Sequence, residues 1–78
     1  MKIQVAGPGC ARCVSTENVV KEAVANLNLE AEVIKVTDYK DMALLGVRLT
    51  PAIVVDGQIV LAGRVPTAEE AEELLKKY

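Results

Sequence analysis

The hydrophobic period of this chain switches from two to a helical spacing within its first thirteen residues, and the switch falls on a pair of cysteines. Lys2-Ile3-Gln4-Val5-Ala6 alternates and stops at Gly7-Pro8-Gly9, the pattern of a short strand ending in a turn. From residue 11 to residue 27 the apolar positions Cys13, Val20, Val24 and Leu27 recur at helical steps, with Glu17, Lys21 and Glu22 filling polar positions between them. That predicts an amphipathic helix held by packing more than by propensity, because its many valines are mediocre helix formers. Cys10 is thereby placed where the strand gives way to the helix, and Cys13 one turn further in.

The remaining residues complete an alternation of strand and helix. Residues 31–37 are β-branched and predict a second strand. Asp38 caps a short helix whose apolar side is Tyr39, Met42, Ala43 and Leu45, and Gly46 stops it. Residues 47–50 run extended into Pro51. Residues 52–55 and 58–62 flank Asp56-Gly57, a pair that favours positive φ and so predicts a two-residue hairpin turn. Thr67 with Glu70 three residues on is a capping box for a last helix with Ala68, Ala71, Leu74 and Leu75 as its buried stripe. Glu72–Lys76 and Glu73–Lys77 have the spacing of helical ion pairs. The order β-α-β-α-β-β-α predicts an α/β fold with a mixed four-stranded sheet flanked by helices.

At 78 residues the chain has room for one domain, residues 1–78, and its 51% hydrophobic and 26% charged content suits a compact globule. A net charge of −2 and only two aromatics, Tyr39 and Tyr78, speak against nucleic acid as a partner. No apolar run is long enough to cross a membrane and no signal-peptide pattern opens the sequence, so a cytoplasmic protein is expected. In a reducing cytosol a Cys pair is more often catalytic, redox-sensing or metal-binding than a permanent staple. A closed Cys10–Cys13 ring would in any case contribute only about 2 kcal/mol through loop entropy, before strain is subtracted.

The position of the thiols has chemical consequences. Unpaired N–H groups and the positive end of a helix dipole stabilise a thiolate at Cys10, and the thiolate is the species that attacks disulfides. Arg12 adds positive potential. The expected roles are Cys10 as exposed attacking thiol and Cys13 as the more buried resolving thiol, which releases a mixed disulfide by forming the internal one. Three other readings stay open: two small cysteines packed at a helix start, a soft-metal site in which two thiolates hold Cu(I), and a binding scaffold without redox chemistry. Zinc fits poorly, since the chain has no His and two thiols fall two short of a closed site.

Gly9-Cys10-Ala11-Arg12-Cys13 behind the first strand, Thr50-Pro51 before a hairpin, and Gly63 ahead of a terminal helix together resemble the thioredoxin-like superfamily over essentially the whole chain. More narrowly, Gly46-Val47, Thr50-Pro51-Ala52, Asp56-Gly57 and Gly63-Arg64-Val65-Pro66 look like the small glutaredoxin-like, redox-active disulfide proteins of archaea and bacteria. The resemblance implies a cis Pro51 facing the cysteines and a Thr50 backbone positioned to pair with an extended substrate segment. Arg12 joins Thr50 and Pro51 among the residues expected at the substrate. Two departures stand out. Ile3 and Val5 occupy the strand where thioredoxins carry a buried acid, so no buried proton acceptor is evident, and Ala62-Gly63-Arg64 replaces the stretch that holds glutathione in glutaredoxins. Glu17, one turn beyond Cys13, is in reach to shuttle a proton but reads as a solvated helix face, as Arg48 and Arg64 read as solvated surface.

The function expected is thiol–disulfide oxidoreduction through Cys10 and Cys13 by way of a mixed disulfide. It calls for no cofactor. The expected partners are a disulfide-containing protein or small molecule and a separate reductase, and a monomer is expected.

Overall fold

The computed structural model describes residues 1–9 and 11–77. Strand β1 (Lys2–Ala6) leads to helix α1 (Ala11–Asn26), then β2 (Glu32–Val36), α2 (Tyr39–Leu45), β3 (Ala52–Val55), β4 (Gln58–Ala62) and α3 (Ala68–Lys76). The sheet order is β2-β1-β3-β4, with β1 and β2 parallel and the two later pairs antiparallel. The expected α/β architecture with a mixed four-stranded sheet is the one observed. Among the described residues no helix is long and apolar enough to cross a membrane.

Alternation in the two central strands splits the core between the faces of the sheet. Ile3, Val5, Ile53 and Val55 point to one face, where α1 and α3 supply Val20, Ala23, Ala71 and Leu75. Ala6, Ala52 and Val54 point to the other, where α2 covers them with Met42 beside Val36 and Val47. All four residues of β3 are buried, as a strand clad on both faces requires. Each fully buried aliphatic side chain contributes roughly 1.5–3 kcal/mol relative to exposure.

Local chemistry sets the element ends. Asp56 and Gly57 take φ of 48° and 86°, the two positive values of a type I′ hairpin turn, and an Asp56 carboxylate oxygen accepts from the Lys2 N–H at 2.9 Å. Asp38 accepts from the Lys40 N–H at 2.8 Å, and Gly46 closes α2 at φ 83°. The Thr67–Glu70 capping box at α3 is formed in both directions. Arg64 binds the same Glu70 with both guanidinium arms. That bidentate pairing, with the Thr67 N–H second, lowers the Glu70 pKa to about 2, and the carboxylate raises that of Arg64.

Several expectations change in detail. Residues 47–50 form no strand, and Leu49 and Thr50 lie in a bend ahead of β3. On α2 only Met42 is buried, while Tyr39 and Ala43 face solvent, because a helix of under two turns meets the sheet with a narrow stripe. On α3, Ala71 and Leu75 are buried, with Ala68 and Leu74 half-buried at the rim. The spaced Glu72–Lys76 and Glu73–Lys77 pairs do not close among the described residues. The ion pair at this helix is Arg64–Glu70, which the rigid capping box holds in place.

Candidate active site

The site lies where β1 ends, α1 begins and the chain enters β3. Helix α1 starts at Ala11, carries no acid in its first turn, and presents Arg12 there, so the potential at its amino end is positive. Cys10 precedes it in sequence, and the exposure and geometry expected of that thiol lie outside the described residues. Cys13 is buried, 6% exposed, on the inner face of the first turn of α1.

Gly7 is the residue that lets Cys13 sit there. It is buried at the end of β1, anchored by its N–H donating to the Val36 carbonyl at 2.8 Å. A methyl group at Gly7 would overlap the Cys13 Sγ and lie 3.9 Å from the Thr50 Cβ. The absence of a side chain therefore lets a sulfur on α1 and a threonine ahead of β3 approach the same point just past the end of β1. Thr50 is half-buried, Pro51 is fully buried, and the peptide between them is cis.

A short chain of hydrogen bonds ties this corner together. An Arg12 guanidinium N–H donates to the Gly63 carbonyl at 3.2 Å, and the Gly63 N–H donates to the Pro51 carbonyl at 2.9 Å. Gly63 adopts φ 87°, and a methyl there would crowd Leu49 Cδ1 at 3.3 Å, so glycine is favoured by both backbone and space. Arg12 is thus brought to the entrance of β3 while its side chain stays exposed, with guanidinium donors to spare. Arg48 is exposed as expected. Arg64 is exposed as expected too, and there it pairs with Glu70.

Glu17 overturns its expected place on a solvated face. It is buried, 7% exposed, and its carboxylate stands 3.7 Å from Lys35 Nζ and 3.9 Å from Lys21 Nζ. Lys35 reaches it because it pairs with Val5 across the parallel strands and so projects to the α1 side at the edge of the sheet. Glu17 and Cys13 line one cavity of about 10 Å³, the scale on which a single water just fits, together with Val5, Gly7 and Lys35. The signal was present in the sequence: Cys13, Glu17, Val20 and Val24 are spaced four, three and four, so the carboxylate falls on the buried stripe itself. Gly7 and Lys35 carried no comparable signal, since a glycine seat and a cross-strand reach exist only in three dimensions.

A parallel crossover followed by an antiparallel hairpin, with a thiol on the first helix turn beside a cis proline, defines a thioredoxin-like fold. A family model described as thioredoxin domain matches residues 1–76. The chain is 42% identical over 76 residues to a thioredoxin of Methanocaldococcus jannaschii, covering 97% of this chain and 87% of that one. It is 37% identical over 75 residues to a thioredoxin of Methanothermobacter thermautotrophicus, covering 96% and 97%. The chain belongs to the thioredoxin domain family, a family of thiol–disulfide oxidoreductases.

Proposed function

We propose that this protein exchanges thiols with the disulfide of a protein or small molecule through Cys10 and Cys13. The Cys10 thiolate, favoured by the amino end of α1 and by Arg12, attacks one substrate sulfur and forms a mixed disulfide. Cys13 then attacks the Cys10 sulfur, the Cys10–substrate bond breaks, and the substrate leaves as a thiolate. A separate reductase returns the internal disulfide to the dithiol, and a reducing cytosol is the setting in which such a pair cycles. Thr50 supplies main-chain groups to an extended substrate segment, Pro51 forms the wall beneath it, and Arg12 lends positive charge.

The observation that carries this reading is the meeting of Cys13, Gly7 and Thr50 at one point beside the cis Thr50–Pro51 peptide. A buried second thiol is what a resolving role needs, because it stays out of competing reactions until the mixed disulfide forms next to it. Soft-metal binding asks instead for two thiolates that turn outward together to share an ion.

The test is an equilibrium titration of the reduced protein against mixtures of reduced and oxidised dithiothreitol, counting free thiols by alkylation and mass. Loss of both thiols together in one reversible two-electron step is expected. Thiols that stay alkylatable across the whole range would contradict the proposal, and tight Cu(I) retention against a competing chelator in that case would favour the metal reading.

A further inference from the structure

Glu17 is a charged side chain on an apolar stripe, and stability alone does not account for it. Glutamate is almost never buried unless paired, and removing its charge from water is costly. Here its partners are two lysines beyond hydrogen-bond length, 3.7 and 3.9 Å away, whose own side chains are 59% and 58% exposed. Lysines that exposed, and at that distance, offset the desolvation of a buried carboxylate only in part. A valine or leucine at this position, between Cys13 and Val20, would fill the stripe at lower cost. What the carboxylate does have is a shared cavity with the Cys13 thiol.

We propose that Glu17 is the proton acceptor for Cys13 in the resolving step, directly or across one water in that cavity. The inference rests on the exchange chemistry proposed above. A thiol must lose its proton before it attacks, and Cys13 is screened from bulk solvent. The proton of the Cys13 S–H passes to a Glu17 carboxylate oxygen as the sulfur's electron pair forms the Cys13–Cys10 bond. The Cys10–substrate S–S bond breaks, its pair leaves on the substrate sulfur, and that thiolate is protonated from water. The two protein thiols are oxidised and the substrate disulfide is reduced. Glu17 afterwards gives its proton to solvent past the exposed Lys21 and Lys35, whose ammonium groups stand 3.9 and 3.7 Å from its carboxylate. Among the described residues the titratable and charged groups near the carboxylate are Cys13 and Lys21 from α1 and Lys35 from β2, and the cavity is otherwise lined by Val5, Gly7, Gly9, Val14 and Thr37.

The experiment mixes reduced protein rapidly with excess 5,5′-dithiobis(2-nitrobenzoate) and follows release of the coloured thiolate. Attack by Cys10 releases the first equivalent and resolution by Cys13 the second. Without a proton acceptor the second rate rises about tenfold per pH unit below the ordinary thiol pKa of about 8.5. With Glu17 accepting, the wild-type second phase is expected to stay nearly flat from about pH 6 to about pH 8. Glu17→Gln is expected to slow that phase by about 10²-fold at about pH 6, in line with general-base catalysis, and to restore the steep slope. The first phase should change by less than about twofold, and Glu17→Asp should recover part of the loss.

A second phase in Glu17→Gln with wild-type rate and slope overturns the proposal, as does equal slowing of both phases. If the glutamine variant fails to fold, the wild-type slope decides alone: flat supports the assignment and tenfold per unit overturns it. A wild-type protein that releases only one equivalent contradicts the exchange reading itself, which separates the two failures.

Discussion

A Cys13→Ser variant is expected to stop at the mixed disulfide and hold the substrate covalently on Cys10. Cys10→Ser is expected to form no adduct and to lose exchange by about 10³-fold or more, equivalent to about 4 kcal/mol of barrier. The asymmetry follows from position. Cys10 adjoins the amino end of α1 in sequence, where N–H groups without helical partners and a positive dipole end favour an anion, with Arg12 in the same turn and no acid to oppose it. Cys13 faces inward against Gly7 and meets an incoming disulfide only once the disulfide is attached next to it. Serine keeps the volume and removes the nucleophile, so the variants separate chemistry from packing. The check is intact mass after mixing each variant with an excess of an aromatic disulfide. Adducts trapped equally on both variants, or on neither, would remove the assigned roles.

The second large effect concerns a residue with no side chain. Gly7→Ala is expected to cost about 1–3 kcal/mol, the range for overpacking a well-filled interior, out of a total of roughly 5–15 kcal/mol for a domain. The new methyl would occupy the space of the Cys13 Sγ, and neither side can yield cheaply. Gly7 is fixed by its bond to the Val36 carbonyl, and Cys13 belongs to a helix that packs through Val20 and Ala23 into the core. At roughly 4–8 °C of midpoint per kcal/mol for a chain of this size, the loss is readily seen by thermal unfolding. An unchanged midpoint would mean that the sulfur is not seated against β1. A lowered midpoint with a faster-alkylating Cys13 would show that the same close contact holds both the fold and the second thiol.

Much of the architecture was legible because it is written in local chemistry. Asp56-Gly57 requires a tight hairpin, Asp38 and Gly46 bracket a short helix, and Thr67 with Glu70 caps the last one, each through bonds made within a few residues. The cysteine pair was equally plain, since its meaning comes from spacing and from the change in period around it. Tertiary choices were not legible. By residue type Glu17 reads as solvent-facing, because charge outweighs position in such a reading, although its place on the Cys13–Val20 stripe points inward, where the structure buries it. Lys35 became relevant only when parallel pairing with Val5 set which way it projects. Glu70 reads in the sequence as a cap, and Arg64 makes it an ion-pair partner as well, while the spaced pairs further along α3 stay open among the described residues. The close seat at Gly7 is invisible in one dimension, because nothing in a glycine states what will press against it.

The most direct test of the whole account compares the two thiols of the native, reduced protein. Brief alkylation with iodoacetamide at about pH 7, quenched and mapped by peptide mass, reads the reactivity of Cys10 and Cys13 in one sample. Cys10 is expected to be modified at least about tenfold faster than Cys13, because it adjoins the amino end of α1 in sequence, which favours a thiolate, and Cys13 is buried. Equal rates, or faster modification of Cys13, would contradict it.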